Sequence, residues 1–151
     1  MAQTFEDLEV WKRSCRLAVS VYDALSESRD WALRDQMQRS SISIASNTAE
    51  GYERTPKDFI RFLMIAKRSC AELRTQTYIA QKINAVASDQ AAHVIDESKQ
   101  ISRMLQGLIN HRRSELQINE QPSSYACRDS RFTDTNLLVT DDSLDSELFI
   151  L

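Results

Sequence analysis

The sequence predicts an all-α fold: an antiparallel up-down-up-down four-helix bundle over residues 1–113, followed by an acidic, disordered tail over 114–151. Three observations carry the prediction. Only two glycines and two prolines punctuate 151 residues, whereas sheets need turn residues at short intervals. Apolar residues recur at three- and four-residue spacing through four long stretches, the period of a helix face. Between the second and third stretches stands Thr55-Pro56-Lys57-Asp58. It supplies an N-cap, a proline at the first helical position and an acid at the capping-box position. A chain of this length suffices for one domain with a sizeable core.

The first helix is expected from about Glu6 to Ser26, capped by Thr4, with Glu6, Asp7 and Glu9 at its positive end. Leu8, Trp11, Cys15, Ala18, Tyr22 and Leu25 follow a heptad spacing. Val10, Leu17, Val21 and Ala24 form a second apolar line on an adjoining face. Two lines suit burial on one wide face, or burial plus contact with another subunit. Val10, Leu17 and Val21 are the candidate subunit contact.

The second helix runs from Trp31 to between Tyr52 and Arg54, with Gly51 close to its last turn. Its centre, from Gln36 to Gly51, is rich in Ser, Ala and Thr, which let a neighbouring backbone come close. Gln36, Arg39, Ser43, Asn47 and Glu50 share one face. Such a stripe is either shown to water or used in a hydrogen-bonded seam. The third helix, Pro56 to about Asn84, decides between them. It carries a polar line of Ser69, Glu72 and Gln76 beside a core stripe through Phe59, Ala66, Cys70, Leu73 and Thr77. In antiparallel register Ser43 meets Ser69, Gln36 meets Gln76 and Arg39 meets Glu72, which favours the seam and a charge-assisted Arg39–Glu72 pair. The fourth helix starts at Ser88 or Asp89 as cap and ends near Arg113.

Catalytic constellations are missing from the pattern. Glu-x-x-His pairs that build di-metal sites in bundles do not occur, since Gln90 and Leu108 stand three residues before His93 and His111. Cys15, Cys70 and Cys127 are too scattered for a disulfide framework or zinc site. There is no glycine-rich phosphate loop. The expectation is a protein without cofactor, metal or enzymatic activity. The acidic opening is unlike a signal peptide, and no uncharged apolar run is long enough for a membrane span, so a cytoplasmic protein is expected.

Charge is the remaining functional signal. The net charge of −3 hides a split: residues 1–113 hold 17 Lys/Arg against 14 Asp/Glu, and residues 114–151 hold two Arg against eight acids. The third helix concentrates base, with Lys57, Arg61, Lys67, Arg68, Arg74 and Lys82 against Asp58 and Glu72, and Arg54 at its approach. Basic faces attract phosphate backbones. Arg54, Lys57, Arg61, Lys67, Arg68 and Arg74 are therefore the candidate nucleic-acid-binding residues, weak and without strong sequence preference.

Four segments together carry a family resemblance. They are Phe5-Glu6-Asp7-Leu8-Glu9-Val10-Trp11; Gln36-x-x-Arg39-x-x-x-Ser43-Ile44-x-x-Asn47-x-Ala49-Glu50-Gly51; Phe59-x-Arg61-Phe62-Leu63-x-x-Ala66-x-x-Ser69-x-x-Glu72-Leu73-x-Thr75-Gln76; and Met104-Leu105-x-Gly107-Leu108-Ile109. Over about residues 5–113 the chain resembles the four-helix-bundle proteins encoded by intervening sequences in bacterial large-subunit ribosomal RNA genes. It is also similar to the accessory variability determinant of diversity-generating retroelements. The resemblance implies an up-down bundle assembling as a homopentamer. Its second branch implies binding to a reverse transcriptase and to nucleic acid through a basic surface; its first implies no defined activity. Thr48 stands where such proteins usually have Ile, and Arg68 where Gly is frequent.

The expected function is a non-enzymatic, oligomeric accessory factor that contacts RNA or DNA. The alternative is a protein-docking scaffold without nucleic acid, using the acidic tail and its Leu148-Phe149-Ile150-Leu151 end to recruit a reverse transcriptase or other protein. No membrane partner is expected.

Overall fold

The computed structural model describes residues 3–119, which form four helices and no strand. They are α1 (Glu9–Ala24), α2 (Trp31–Tyr52), α3 (Pro56–Lys82) and α4 (Ser88–Asn119). Each packs on its two neighbours, α1 on α2 and α4, α3 on α2 and α4, with no diagonal contact. The ring of contacts defines a four-helix bundle. Cross-helix bonds fix the direction: Ser40 and Ser43 of α2 reach Gln76 and Ser69 of α3, and Lys67 and Arg74 of α3 reach Gln106 and Ser98 of α4. In both pairs one index rises as the other falls, so the neighbours are antiparallel. The chain separates into units Met1–Gln121 and Pro122–Leu151. The acidic end, its expected disorder, Cys127 and the Leu144–Leu151 segment lie outside the described residues.

Local chemistry explains each boundary. Before α1, Phe5–Asp7 takes a 3-10 turn in which the Asp7 carboxylate accepts from the Gln3 and Thr4 N–H groups at 2.9 and 3.2 Å. Those two bonds hold the Asp7 carboxyl below its usual range. This turn delays α1 to Glu9, three residues later than its sequence suggests. Asp30 caps α2 by accepting from Leu33 N–H at 3.0 Å, and Thr55 caps α3 by accepting from Asp58 N–H at 3.2 Å. At the end of α3, Asn84 adopts φ 58°. The Ala85 and Asn84 N–H groups then bond the Ala80 and Gln81 carbonyls at 2.8 and 3.2 Å, a Schellman closure with Asn in the left-handed position. Helix α4 continues six residues beyond Arg113, because Glu115 pairs back one turn to His111 and Arg112 at 3.3 and 2.9 Å.

The core runs the length of the bundle through Leu17, Val21, Met37, Ile44, Leu63, Leu73, Ile101, Leu105 and Ile109, all essentially inaccessible to solvent. Each such aliphatic side chain contributes about 1.5–3 kcal/mol by its burial. Burial pushes the Cys70 thiol up to about 12, which makes it a small apolar residue at neutral pH. Helix α2 tolerates its serines because their hydroxyls bond backbone within the helix. Ser41 donates to Gln38 O and Thr48 to Ile44 O, both at 2.8 Å.

One expectation about α1 is corrected here. The line Val10, Leu17, Val21 and Ala24 is buried inside the subunit, so it is no subunit contact. Trp11, Cys15 and Ala18 of the heptad line are only half-buried and Tyr22 is exposed. Gly51 lies in the last turn of α2, as expected, with no positive φ. A Cβ there would stand 2.5 Å from Phe62 Cβ and 3.1 Å from the Phe59 ring. Glycine is needed for the close approach of α2 to α3.

Candidate nucleic-acid interface

The polar residues shared by α2 and α3 come together only in part. The hydroxyls of Ser43 and Ser69 are 3.0 Å apart, and Asn47 Nδ2 donates to both the carbonyl and the hydroxyl of Ser43 at 2.8 and 2.9 Å. Ser69 is buried; Ser43 and Asn47 are half-buried. Gln76 accepts from Ser40 Oγ at 2.6 Å, while Gln36 stays exposed. The Arg39–Glu72 pair does not form. Arg39 binds Asp35 one turn back at 2.9 Å, with both side chains more than half exposed, and Glu72 accepts from Gln76 Nε2 at 3.2 Å. Both Arg39 and Glu72 point to water, where the nearest local partner wins over a longer reach across helices. Glu50 is likewise exposed and paired with Arg54 at 3.1 Å.

The six basic candidates divide by their partners. Arg54 is tied to Glu50, and Arg61 lies 3.9 Å from Asp58, so each carries a neutralising acid. Lys57 is exposed at the start of α3. Lys67 and Arg68 differ. They line a groove of about 440 Å³ between α3 and α4, with Met64, Ala71, Gln106, Ile109 and Arg113. Its lining holds three cations and no carboxylate. Lys67 Nζ donates to Gln106 Oε1 at 2.5 Å, and Arg113 Nη2 rests 3.7 Å from Met64 Sδ. Among the described residues no acid pairs with Lys67, Arg68 or Arg113. Two turns beyond Lys67, Arg74 is half-buried with Nη1 3.5 Å from the Ser98 carbonyl.

Helical geometry explains part of the imbalance. Asp58 and Glu72 sit on the side of α3 that carries Ser69, while Lys67 and Arg74 sit on the side facing α4; Arg68 lies between, one turn before Glu72. Arg113 then joins from α4. Sequence reasoning missed Arg113 and Gln106. The antiparallel register that pairs Ser43 with Ser69 would have found them if extended to α3 and α4.

A different charged cluster binds α1 to α4. The Arg13 guanidinium grips Glu97 through two bonds of 2.7 Å and donates a third to Gln100 Oε1 at 2.6 Å. That bidentate contact holds the Glu97 carboxyl below its usual value of 4.5 against the opposing effect of burial. The cluster is a clasp between helices, with its charges already matched. Among the described residues no group of His, Cys, Asp and Glu could hold a metal ion, and no helix is long and apolar enough to cross a membrane.

Comparison with known proteins places this architecture. Among solved structures the chain is similar to a protein of unknown function from the S23 ribosomal protein family of Bacteroides thetaiotaomicron, with TM-score 0.63 and 23% identity over 66% of this chain and 97% of that one. At that identity the likeness establishes the fold. No curated protein matches the chain significantly. The family model described as 23S rRNA-intervening sequence protein matches residues 6–107, from the opening 3-10 turn into α4. The chain belongs to the 23S rRNA-intervening sequence protein family.

Proposed function

We propose that this protein is a non-enzymatic, oligomeric bundle that holds nucleic acid weakly through the face shared by α3 and α4. The carrying observation is the groove in which Lys67, Arg68 and Arg113 meet without an acid. Unneutralised cations release the counterions of a phosphate backbone, so binding is electrostatic and indifferent to sequence. Arg74, farther along the same side of α3, extends the strip, while Arg54 and Arg61 contribute less because Glu50 and Asp58 already engage them.

Oligomerisation strengthens this reading, since several copies of a weak site act by avidity. The resemblance implies five copies. The buried line of α1 is unavailable for contact, but Val19, Tyr22 and Ile42 on α1 and α2 are 61%, 45% and 43% exposed. Unpartnered apolar residues on these two helices suit a subunit interface; α3 adds Tyr78 and Ile79, 48% and 50% exposed, outside the lining of the groove, so such contacts leave the groove itself open. The same exposure favours a second reading, a scaffold that docks another protein on α1 and α2. The two separate in one experiment. Arg68→Glu/Arg113→Glu should abolish RNA and DNA binding at low salt while sedimentation shows the oligomer intact. Unchanged binding by that variant, or none by the parent protein, refutes the nucleic-acid reading and leaves the scaffold.

A further inference from the structure

Attraction of phosphates uses only part of the groove between α3 and α4. Its lining is also apolar: Met64, 46% exposed, and exposed Ala71 lie among Lys67, Arg68 and Arg113, with the core residue Ile109 beneath them. A duplex keeps its bases stacked inside and would engage the cations alone, leaving the apolar recess empty. An unpaired nucleotide brings a phosphate and a flat apolar base together. We propose that the groove takes one unpaired base, of a single strand or a bulge, with the flanking phosphates on the three cations; this inference rests on the nucleic-acid reading above.

The geometry supports it in three ways. A volume of about 440 Å³ falls in the range of pockets that take small organic molecules. The Arg113 guanidinium, 3.7 Å from Met64 Sδ, stands at the recess, where a planar cation packs on a base face. The Gln106 amide accepts from Lys67 and donates to Asn110 Oδ1 at 2.8 Å. Its polar atoms are engaged within the protein, so the recess reads shape and apolarity rather than a base edge, and any base is accepted.

The test uses the full chain and three fluorescent probes in low salt: a thymidine single strand of about 12 nucleotides, an abasic strand of the same length and backbone, and a duplex. The intact strand should bind about tenfold more tightly than the abasic one, which carries the same charges. Ala71→Gln fills the recess without altering charge, and Ala71 is exposed, so the fold is retained; circular dichroism verifies this. The variant should bind the intact strand only as well as the parent binds the abasic strand. Equal binding of intact and abasic strands, or no effect of Ala71→Gln, overturns the base recess while leaving phosphate binding in place. Failure of all three probes to bind overturns both.

Discussion

Two glutamates show how surroundings set the value of a charge. Glu72 is exposed and accepts one long bond from Gln76 on its own helix. Glu97 is half-buried between helices and receives two 2.7 Å bonds from Arg13, with side-chain exposures of 24% for Arg13 and 18% for Glu97. We predict that Glu72→Ala changes stability by less than about 0.5 kcal/mol. Glu97→Gln should cost about 1–3 kcal/mol at pH 7, measured by urea unfolding. The pH dependence has a definite sign. Because Arg13 lowers the Glu97 pKa in the folded state, the carboxylate contributes stability above its unfolded pKa of 4.5 and loses it as pH falls through the folded value. The gap between parent and Glu97→Gln should therefore be full at neutral pH and close in acid. A gap that stays constant down to about pH 2 would contradict the assignment.

At the scale of elements, helix positions were legible and the sides they turn were less so. The Thr55-Pro56 start of α3 and the Trp31 start of α2 stand where the sequence puts them, since capping and a fixed proline φ are local properties. In α1, two adjoining apolar lines fix the width of the buried face but not its centre. Only packing against α2 and α4 selects Val10, Leu17 and Val21 for the core and leaves Trp11 and Cys15 at its margin. The candidate basic site was half legible: Lys67 and Arg68 come from one helix, but Arg113 arrives from another. Gly51 stands in the last turn of α2, where the sequence puts it, but the reason for a glycine there, the close approach of α3, comes from packing. We predict that Gly51→Ala destabilises the bundle by about 1–3 kcal/mol, because its Cβ would meet Phe62 Cβ at 2.5 Å. Thermal unfolding measures this. An unchanged midpoint would show that α2 and α3 can separate without loss.

For the whole molecule, two kinds of uncovered surface stand out. Val19, Tyr22 and Ile42 of α1 and α2, with Tyr78 and Ile79 of α3, leave apolar side chains exposed, and α3 and α4 share cations around a groove whose lining holds no acid. Val19→Asp/Ile42→Asp should lower the oligomer mass in sedimentation without unfolding the subunit, because both residues lie outside the core. Nucleic-acid binding by that variant should weaken through lost avidity while retaining its salt dependence. The most direct test of the basic face is a titration of RNA and DNA affinity against salt, from about 50 to 200 mM, for the parent protein and for Arg68→Glu/Arg113→Glu. A logarithmic plot for the parent should fall steeply and linearly, and the variant should bind too weakly to measure even at the lowest salt. Affinity independent of salt, or an identical line for the two proteins, would contradict the account.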